Sequence, residues 1–425
     1  MLIRILYTAV LTLAAPILLF GLYKNKPNKP KFGARWKEHF GFTPKLVSDV
    51  SPIWIHAVSV GESIAAVPLI KELKKQAPNQ PILVTTTTST GAEQIKKLGD
   101  LVEHRYMPID FGFAVKGFLK AIKPTQMLII ETELWPNTLN VVHNARIPIT
   151  VVNARLSQKS CNNYAKVQPL FNLLHPCLTK ILCQTGSDAA RFERLGVDKN
   201  KLTVTGSIKF DIQISDEVRE KGKALRAELG ENRPVWIAAS THKGEDEQVL
   251  DAHQKVLEAH PNALLIIVPR HPERFDDIFE LCQKLGFEAV RRTSRTEVTA
   301  SAQVYLGDTM GEMLLLLGTA DICFMGGSLI GDKVGGHNVL EPAALGVPTI
   351  TGPSYFNFEE IVVAMKKEGI IDIARNSQEI ARYTTLYMNN KNQRNEISNK
   401  LKVFTSKRCG ALTSTIQKLN AINGQ

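Results

Sequence analysis

Two stretches in the first half of the sequence place carboxylates where an apolar run gives way to polar residues. Glu62 follows the strand-like run Ile53–Val60 and opens an amphipathic helix, close to Gly61 and Ser63. The positive end of a helix dipole favours an ionised carboxylate there, and a positioned, ionised carboxylate can act as a general base. The alternative is that Glu62 only stabilises the first helical turn.

Glu131 and Glu133 are separated by one residue at the end of a second strand-like run. If the strand persists, both side chains point the same way. Like charges so close raise one pKa unless a cation lies near. The alternative places one carboxylate in a structural ion pair and the other in solvent.

Three basic residues are candidates for contacts with anions. Lys209, in Gly206–Asp211, can offset negative charge on a transferring group, or it can be an ordinary lysine paired with Asp211. Arg155 also follows a strand and can bind a phosphate or carboxylate through its guanidinium fork, unless it is a surface arginine. Lys243 lies in a strand-to-helix turn rich in small residues, which favours an anion site.

The second half carries a glycine-rich segment, Gly326–Pro353, whose two glycine pairs permit close backbone approach to a ligand. Asn338–Glu341 begins a helix whose amides can face a phosphate, and Glu341 can accept hydrogen bonds from ribose hydroxyls. Asp308–Glu312 is predicted to be another helix start near this site. Neither a G-x-G-x-x-G fingerprint nor a Walker A motif is found, so dinucleotide and P-loop sites are disfavoured.

Strand and helix patterns alternate on both sides of a charged segment, which predicts an α/β fold with two doubly wound parallel sheets. The first series of predicted strands is Ile53–Val60, Ile82–Thr87, Gln126–Glu131, Ile149–Asn153, Ile181–Gln184 and Leu202–Phe210. The second series is Val235–Ala239, Leu264–Val268, Glu288–Arg292, Val304–Leu306, Asp321–Met325 and Thr349–Thr351. Between the later strands, a helix is predicted over Thr309–Gly318.

The chain divides into an N-terminal anchor at 1–30, a domain at 31–211, a linker at 212–233, a domain at 234–400 and a C-terminal helix at 401–425. That last helix can cross back to the first domain. The anchor contains Leu2–Tyr23, which is long and apolar enough to enter or cross a bilayer. Lysines and arginines follow it, at Lys24, Lys26, Lys29, Lys31, Arg35 and Lys37. The positive-inside rule keeps this segment cytoplasmic, and both a spanning and an interfacial anchor remain open.

The composition is that of a globular protein, with 425 residues of which 44% are hydrophobic and 22% charged. A net charge of +11 and a pI of about 9.2 suit an anionic partner. The basic residues are dispersed and form no nucleic-acid module, which argues against nucleic-acid binding. Six cysteines with no C-x-x-C pair indicate a reducing compartment and argue against a zinc knuckle.

Taken together, the motifs resemble those of the 3-deoxy-D-manno-octulosonic acid (Kdo) transferases of lipopolysaccharide synthesis. The matching motifs are HAVSVGE, TTTTSTG, ETELWPN, NARLS, GSIKFD, STHKGEDE, VPRHPERF, GDTMGEM and GGHNVLEP. They run from about His56 to Pro353 and cover most of the chain. One departure is Val339, which stands where the family often has proline.

This resemblance implies a GT-B fold, with two Rossmann-like domains and a cleft between them. It also implies transfer of Kdo from CMP-Kdo to a lipid A precursor at the cytoplasmic face of the inner membrane. The reaction would invert the anomeric carbon and use neither metal nor cofactor. Glu62 matches the catalytic base, and Glu131 and Lys209 match residues that stabilise the transition state.

The same resemblance assigns nine residues to the CMP site. They are Pro269, Arg270, Met310, Gly311, Glu312, Asn338, Val339, Leu340 and Glu341. Two alternatives remain: another membrane-associated GT-B enzyme that uses a UDP-sugar, and a nucleotide-binding or scaffolding protein on an inactive transferase fold.

Overall fold

The computed structural model describes residues 2–24 and 30–423, apart from the side chain of residue 423. Lys26 and Lys29 of the predicted basic segment lie outside these described residues. The chain forms two compact units, one made of Met1–Asp211 and Arg408–Gln425 and the other of Ile212–Lys407. Within the described ranges, each unit contains a seven-stranded sheet in which every pair of neighbouring strands is parallel. The predicted pair of doubly wound α/β folds is confirmed.

The first sheet has the strand order β3-β2-β1-β4-β5-β6-β7. Its strands are β1 Ile53–His56, β2 Ile82–Thr86, β3 Glu103–Tyr106, β4 Gln126–Ile130, β5 Ile149–Ala154, β6 Lys180–Cys183 and β7 Leu202–Val204. All residues of β1, β2, β4 and β5 are buried, as expected of strands covered on both faces by helices. The prediction of a strand through Phe210 is wrong after Val204, because Gly206 has a φ of 92° and residues 208–210 form a 3-10 turn.

Helices cover both faces of this sheet, and a 3-10 helix spans Gly33–Phe40. The helices are α1 Leu2–Tyr23, α2 Val60–Gln76, α3 Ser89–Lys96, α4 Gly112–Ile122, α5 Pro136–Asn144, α6 Gln158–Lys166, α7 Gln168–Leu174 and α8 Gly186–Arg194. Helix α2 begins at Val60, because Ser59 caps it, and the predicted strand Ile53–Val60 already ends at His56. Glu62 therefore lies in the first turn of the helix that follows β1.

The second sheet has the order β10-β11-β9-β8-β12-β13-β14. Its strands are β8 Val235–Thr241, β9 Leu264–Pro269, β10 Ala289–Arg291, β11 Val304–Leu306, β12 Ile322–Met325, β13 Thr349–Thr351 and β14 Ile371–Ile373. Its helices are α9 Asp216–Leu229, α10 Asp246–Ala259, α11 Phe275–Lys284, α12 Met313–Leu317, α13 Leu340–Leu345, α14 Glu359–Lys367, α15 Ser377–Asn389 and α16 Lys391–Ser406. The predicted helix over Thr309–Gly318 begins only at Met313, so residues 308–312 form a loop.

The ends of the units differ from the predicted domain bounds. Residues 212–233, predicted as a linker, belong to the second unit, where Arg226 of α9 pairs with Asp321 at 3.0 Å. A last helix, α17 Ala411–Asn423, belongs to the first unit. The Asp211 carboxylate fixes its start by accepting hydrogen bonds from the amides of Gly410, at 2.5 Å, and Leu412, at 2.6 Å.

Candidate active site

The Glu62 carboxylate is held from both sides at the start of α2. The Ser59 hydroxyl donates to Glu62 Oε1 at 2.8 Å, and the Val58 amide donates to Oε2 at 2.7 Å. In return, Ser59 Oγ accepts from the Glu62 amide at 3.3 Å, so Ser59 also caps the start of the helix. With the residue only 8% exposed, these bonds fix the direction of the carboxylate.

Burial raises the pKa of Glu62 to about 7. The bonds from Val58 and Ser59 lower this pKa, while the nearby charges of Glu133 and Glu131 raise it further. Burial therefore opposes the ionised form that the helix start was expected to favour. A carboxylate that titrates near neutral pH has the proton affinity that suits a general base.

Glu131 and Lys209 form an ion pair. Lys209 Nζ lies 3.2 Å from Glu131 Oε1, and both side chains are partly exposed. The alternative partner, Asp211, is already bonded to the start of α17. The structure therefore places a cation beside the first of the two neighbouring glutamates.

Asn153 orders the turn that carries Lys209. Its Oδ1 accepts a hydrogen bond from the Ile208 amide at 3.1 Å. Asn153 and Glu131 both have positive φ angles, 56° and 62°, which cost non-glycine residues about 1–3 kcal/mol each. Such strain is concentrated at functional sites. The sequence signal for Asn153 is weak, since asparagine merely tolerates this conformation better than most residues.

Glu133 lies in the loop after β4, and burial raises its pKa. The Trp135 indole donates to Glu133 Oε2 at 3.1 Å. Because β4 ends at Ile130, strand alternation does not orient Glu131 and Glu133 as the sequence suggested. The Arg155 carbonyl accepts from the Thr132 hydroxyl at 2.5 Å, which joins this loop to the one after β5.

In the second unit, the glycine-rich loop is organised by a residue that the sequence did not single out. The Glu245 side chain is fully buried, and its carboxylate accepts hydrogen bonds from four backbone amides. One is that of His242, at 3.0 Å, and the other three belong to Gly327, Ser328 and Leu329, at 2.6, 2.8 and 2.8 Å. Glu245 thereby fixes the backbone that follows β12 to the turn that follows β8.

The predicted CMP residues Met310–Glu312 lie in a loop that is stabilised by an ion pair between Arg292 and Glu312. Arg292 Nε and Nη2 lie 3.0 and 3.1 Å from the two Glu312 oxygens, and the Thr309 hydroxyl donates to Glu312 at 2.6 Å. The Arg292 bonds hold the pKa of Glu312 below its usual value. The loop turns at Gly311, with a φ of 84°, and leaves Met310 exposed.

Asn338 and Glu341 form a second fastened turn. Asn338 Nδ2 donates to Glu341 Oε1 at 3.1 Å, while Asn338 Oδ1 accepts from the Leu340 amide at 3.2 Å. The Leu340 amide is thus bonded within the turn, and the contact of this helix start with a phosphate stays a prediction. The side chains of Val339 and Leu340 are buried in the core.

Arg270 follows β9, which ends at Pro269 as the sequence indicated to within one residue. Its amide donates to the Thr241 carbonyl at 3.0 Å, and its side chain is exposed.

His242 Nε2 lies 2.8 Å from His337 Nε2, and Lys243 is exposed in the same turn as His242. Among the described residues, no group of three or more His, Cys, Asp or Glu is arranged to hold a metal ion.

Comparisons with known proteins identify two families along the chain. A family model described as 3-deoxy-D-manno-octulosonic-acid transferase matches residues 34–212, and one described as glycosyl transferases group 1 matches residues 223–403. A 3-deoxy-D-manno-octulosonic acid transferase of Haemophilus influenzae is 38% identical over 93% of this chain and 93% of its own. One from Bordetella pertussis is 36% identical over 73% of each chain.

Among solved structures, a UDP-GlcNAc 2-epimerase from Neisseria meningitidis bound to UDP-GlcNAc superimposes with a TM-score of 0.55. The match covers 88% of this chain and 100% of the epimerase, at 14% sequence identity. At that identity the likeness concerns the fold alone.

Proposed function

The chain belongs to the Kdo transferases, and we propose that it transfers Kdo from CMP-Kdo to a hydroxyl of the lipid A precursor. Transfer takes place at the cytoplasmic face of the inner membrane and inverts the anomeric carbon. The observation that carries the proposal is the Glu62 carboxylate, which is fixed by Ser59 and Val58 and has a pKa of about 7.

In the proposed reaction, ionised Glu62 takes the proton of the acceptor hydroxyl. The acceptor oxygen bonds to the anomeric carbon of Kdo as the bond from that carbon to the phosphate oxygen breaks. The electron pair of the breaking bond leaves with CMP, and the proton remains on Glu62. The bonds of Glu62 with Ser59 and Val58 support this role, because they hold the base in one orientation without a rearrangement of the backbone.

Glu131 and Lys209 are proposed to stabilise the two charges of the transition state. Positive charge develops on the sugar and negative charge on the departing phosphate, and a carboxylate and an ammonium stabilise them respectively. Their ion pair at 3.2 Å and the strained backbone of Glu131 support this assignment, because both groups are positioned in advance. Arg155 is proposed as a further anion contact.

In the second unit, Arg270 is proposed to bind the phosphate of CMP, since its exposed guanidinium can form two parallel hydrogen bonds. The carboxylates of Glu312 and Glu341 are bonded within their own turns. Their proposed role is to hold the backbone of 310–312 and 338–341 for the nucleotide. Lys243 is proposed as an additional phosphate contact.

The test measures transfer of Kdo from CMP-Kdo, generated in situ, to tetra-acylated lipid A precursor by mass spectrometry. We expect Glu62→Gln to lower the rate about 10²–10⁴-fold, the usual contribution of a general base, while CMP binding stays unchanged. Glu72→Gln, in the same helix, is the matched control and should be fully active. Near-normal activity of Glu62→Gln would remove Glu62 as the base. Transfer from a UDP-sugar in place of CMP-Kdo would refute the donor.

A further inference from the structure

Helix α1 is bound along its length to the first unit. Near its start, the Tyr7 hydroxyl donates to Asp110 Oδ2 at 2.9 Å, and Asn137 Nδ2 donates to the Thr8 hydroxyl at 3.0 Å. At its end, the Tyr23 hydroxyl lies 2.6 Å from His39 Nδ1. At 1.5 Å per residue, Tyr7 and Tyr23 are about 24 Å apart, so the helix lies along the surface of the unit.

Asp110 belongs to the folded core and is not a flexible surface residue. It is buried, and its carboxylate also accepts hydrogen bonds from the amides of Asn137 and Thr138, at 3.1 and 2.6 Å, at the start of α5. A spanning helix needs about 20 residues in the hydrocarbon, which is nearly all of α1. Spanning would therefore carry the start of α5 into the bilayer or break these bonds, and both are costly.

The opposite face of α1 is apolar and exposed. Its most exposed members recur at helical spacing: Leu2 (79%), Leu6 (64%), Leu13 (81%), Ile17 (76%) and Phe20 (68%). A stripe of this length, on a helix whose other face is bound to protein, is typical of a membrane interface and not of water.

Lysine side chains lie near the C-terminal end of this stripe, and their positive charge is complementary to an anionic headgroup layer. Lys24, Lys31 and Lys37 are exposed, and Lys24 Nζ lies 5.9 Å from the centre of the Phe20 ring. Trp36 is 45% exposed beside them, and tryptophan favours the level of the headgroups. Apolar side chains can thus enter the acyl region while these ammonium groups remain among the phosphates.

We propose that α1 lies in the plane of one anionic leaflet, with the stripe inserted to shallow depth and the other face bound to the first unit. This inference deepens the proposed membrane location and rests on it. It selects the interfacial anchor over the spanning one. The first unit is then held against the leaflet that carries a lipid acceptor.

The experiment measures insertion depth in vesicles of phosphatidylethanolamine and phosphatidylglycerol. Leu6→Cys, Leu13→Cys and Phe20→Cys are made separately on Cys409→Ser, since the other cysteines are buried. Each variant carries an environment-sensitive fluorophore that is quenched by lipids with nitroxides at known depths. Ala15→Cys, on the bound face, is the matched control.

We expect the three outward probes to share one shallow depth and the Ala15→Cys probe to escape quenching. In a spanning helix, the Leu13→Cys probe would instead lie about 10 Å deeper than the Leu6→Cys and Phe20→Cys probes, because each of these is seven residues away along the helix. That result, or failure to bind vesicles, or probes shielded from lipid in a dimer, would overturn the inference. Kdo transfer is assayed on the same vesicles: activity with graded depths overturns only the anchor geometry, and uniform depths without activity overturn only the proposed function.

Discussion

Lys209 Nζ lies 3.2 Å from Glu131 Oε1, so two groups proposed to stabilise opposite charges in the transition state neutralise each other beforehand. Their backbones are held independently, that of Lys209 through Asn153 and that of Glu131 in the left-handed region. Each residue therefore depends on the other for its charge balance but not for the position of its backbone.

The effects of removing Lys209 and of removing Glu131 on kcat should not be independent of each other. We expect Lys209→Met and Glu131→Gln each to lower kcat about 10²–10³-fold, as for other preorganised electrostatic groups. The double variant should lose less than the product of the two, because each single change also leaves an uncompensated charge. The measurement is a double-mutant cycle on kcat.

The control for this cycle is the exposed pair of Lys221 and Glu217 on α9, whose side chains are 61% and 73% exposed. Lys221→Met and Glu217→Gln should leave kcat unchanged, since exposed ion pairs contribute little. If the losses at Lys209 and Glu131 simply multiply, the two residues act separately.

The pH dependence of kcat/KM should follow the ionisation of Glu62. A base must be deprotonated, so the rate rises about tenfold per pH unit below pH 7 and levels off above its pKa of about 7. Ser59→Ala removes a hydrogen bond that lowers this pKa and should move the midpoint up. Glu133→Gln removes a charge that raises it and should move the midpoint down. A midpoint that neither variant moves would contradict the assignment.

The same carboxyl should make the first unit less stable as the pH rises. Its pKa is raised from 4.5 to about 7 in the folded protein, so the folded state binds this proton more tightly than the unfolded chain. The stability is present below pH 4.5 and is lost between pH 4.5 and 7, by about 3 kcal/mol at 1.36 kcal/mol per pKa unit.

Glu62→Gln does not titrate, so its free energy of unfolding relative to wild type should increase from pH 5 to pH 8.5. Urea unfolding followed by hydrogen exchange in β1 measures this difference in the unit concerned. The loss of hydrogen bonds through the substitution lowers the free energy of unfolding by a similar amount at both pH values. It therefore largely cancels when the difference at pH 5 is subtracted from that at pH 8.5. For Glu72→Gln the difference from wild type should be the same at both pH values.

Glu245→Gln should loosen the glycine-rich loop. One oxygen becomes an NH₂ group that faces backbone N–H donors, and each unsatisfied buried donor costs about 1–3 kcal/mol. We expect faster hydrogen exchange at Gly327–Leu329 and weaker CMP binding, measured by mass spectrometry and calorimetry. Glu247→Gln, exposed at the start of the same helix, should change neither. Unchanged exchange in Glu245→Gln would show that the loop does not depend on this carboxylate.

The sheets were largely predictable because their strands are continuous apolar runs between turn signals. Glu103–Tyr106 was missed, since an edge strand tolerates charges such as the Arg105–Glu103 pair at 2.8 Å. Ile371–Ile373, at the edge of the other sheet, was missed too and is only three residues long.

Some hydrogen bonds of the candidate site could not be predicted from the sequence, because the residues that they join are distant in the chain. Asn153 binds an amide 55 positions away, and Glu245 binds amides 82 to 84 positions away. The pKa of Glu62 depends on burial, which the fold creates and local spacing does not reveal. The residue types of the site were thus visible in the motifs, whereas their hydrogen bonds and protonation were not.

Helix α17 gives the order of synthesis a physical meaning. Its Leu412, Ile416 and Leu419 are buried in the same core as Leu69 and Ile70 of α2, the helix that begins beside Glu62. During translation, the whole second unit must therefore be synthesised before α17, which completes the core of the first unit. Until then this core lacks Leu412, Ile416 and Leu419, and a fragment that stops at Asp211 would retain Glu62, Glu131 and Lys209 without the helix that completes the core beneath them.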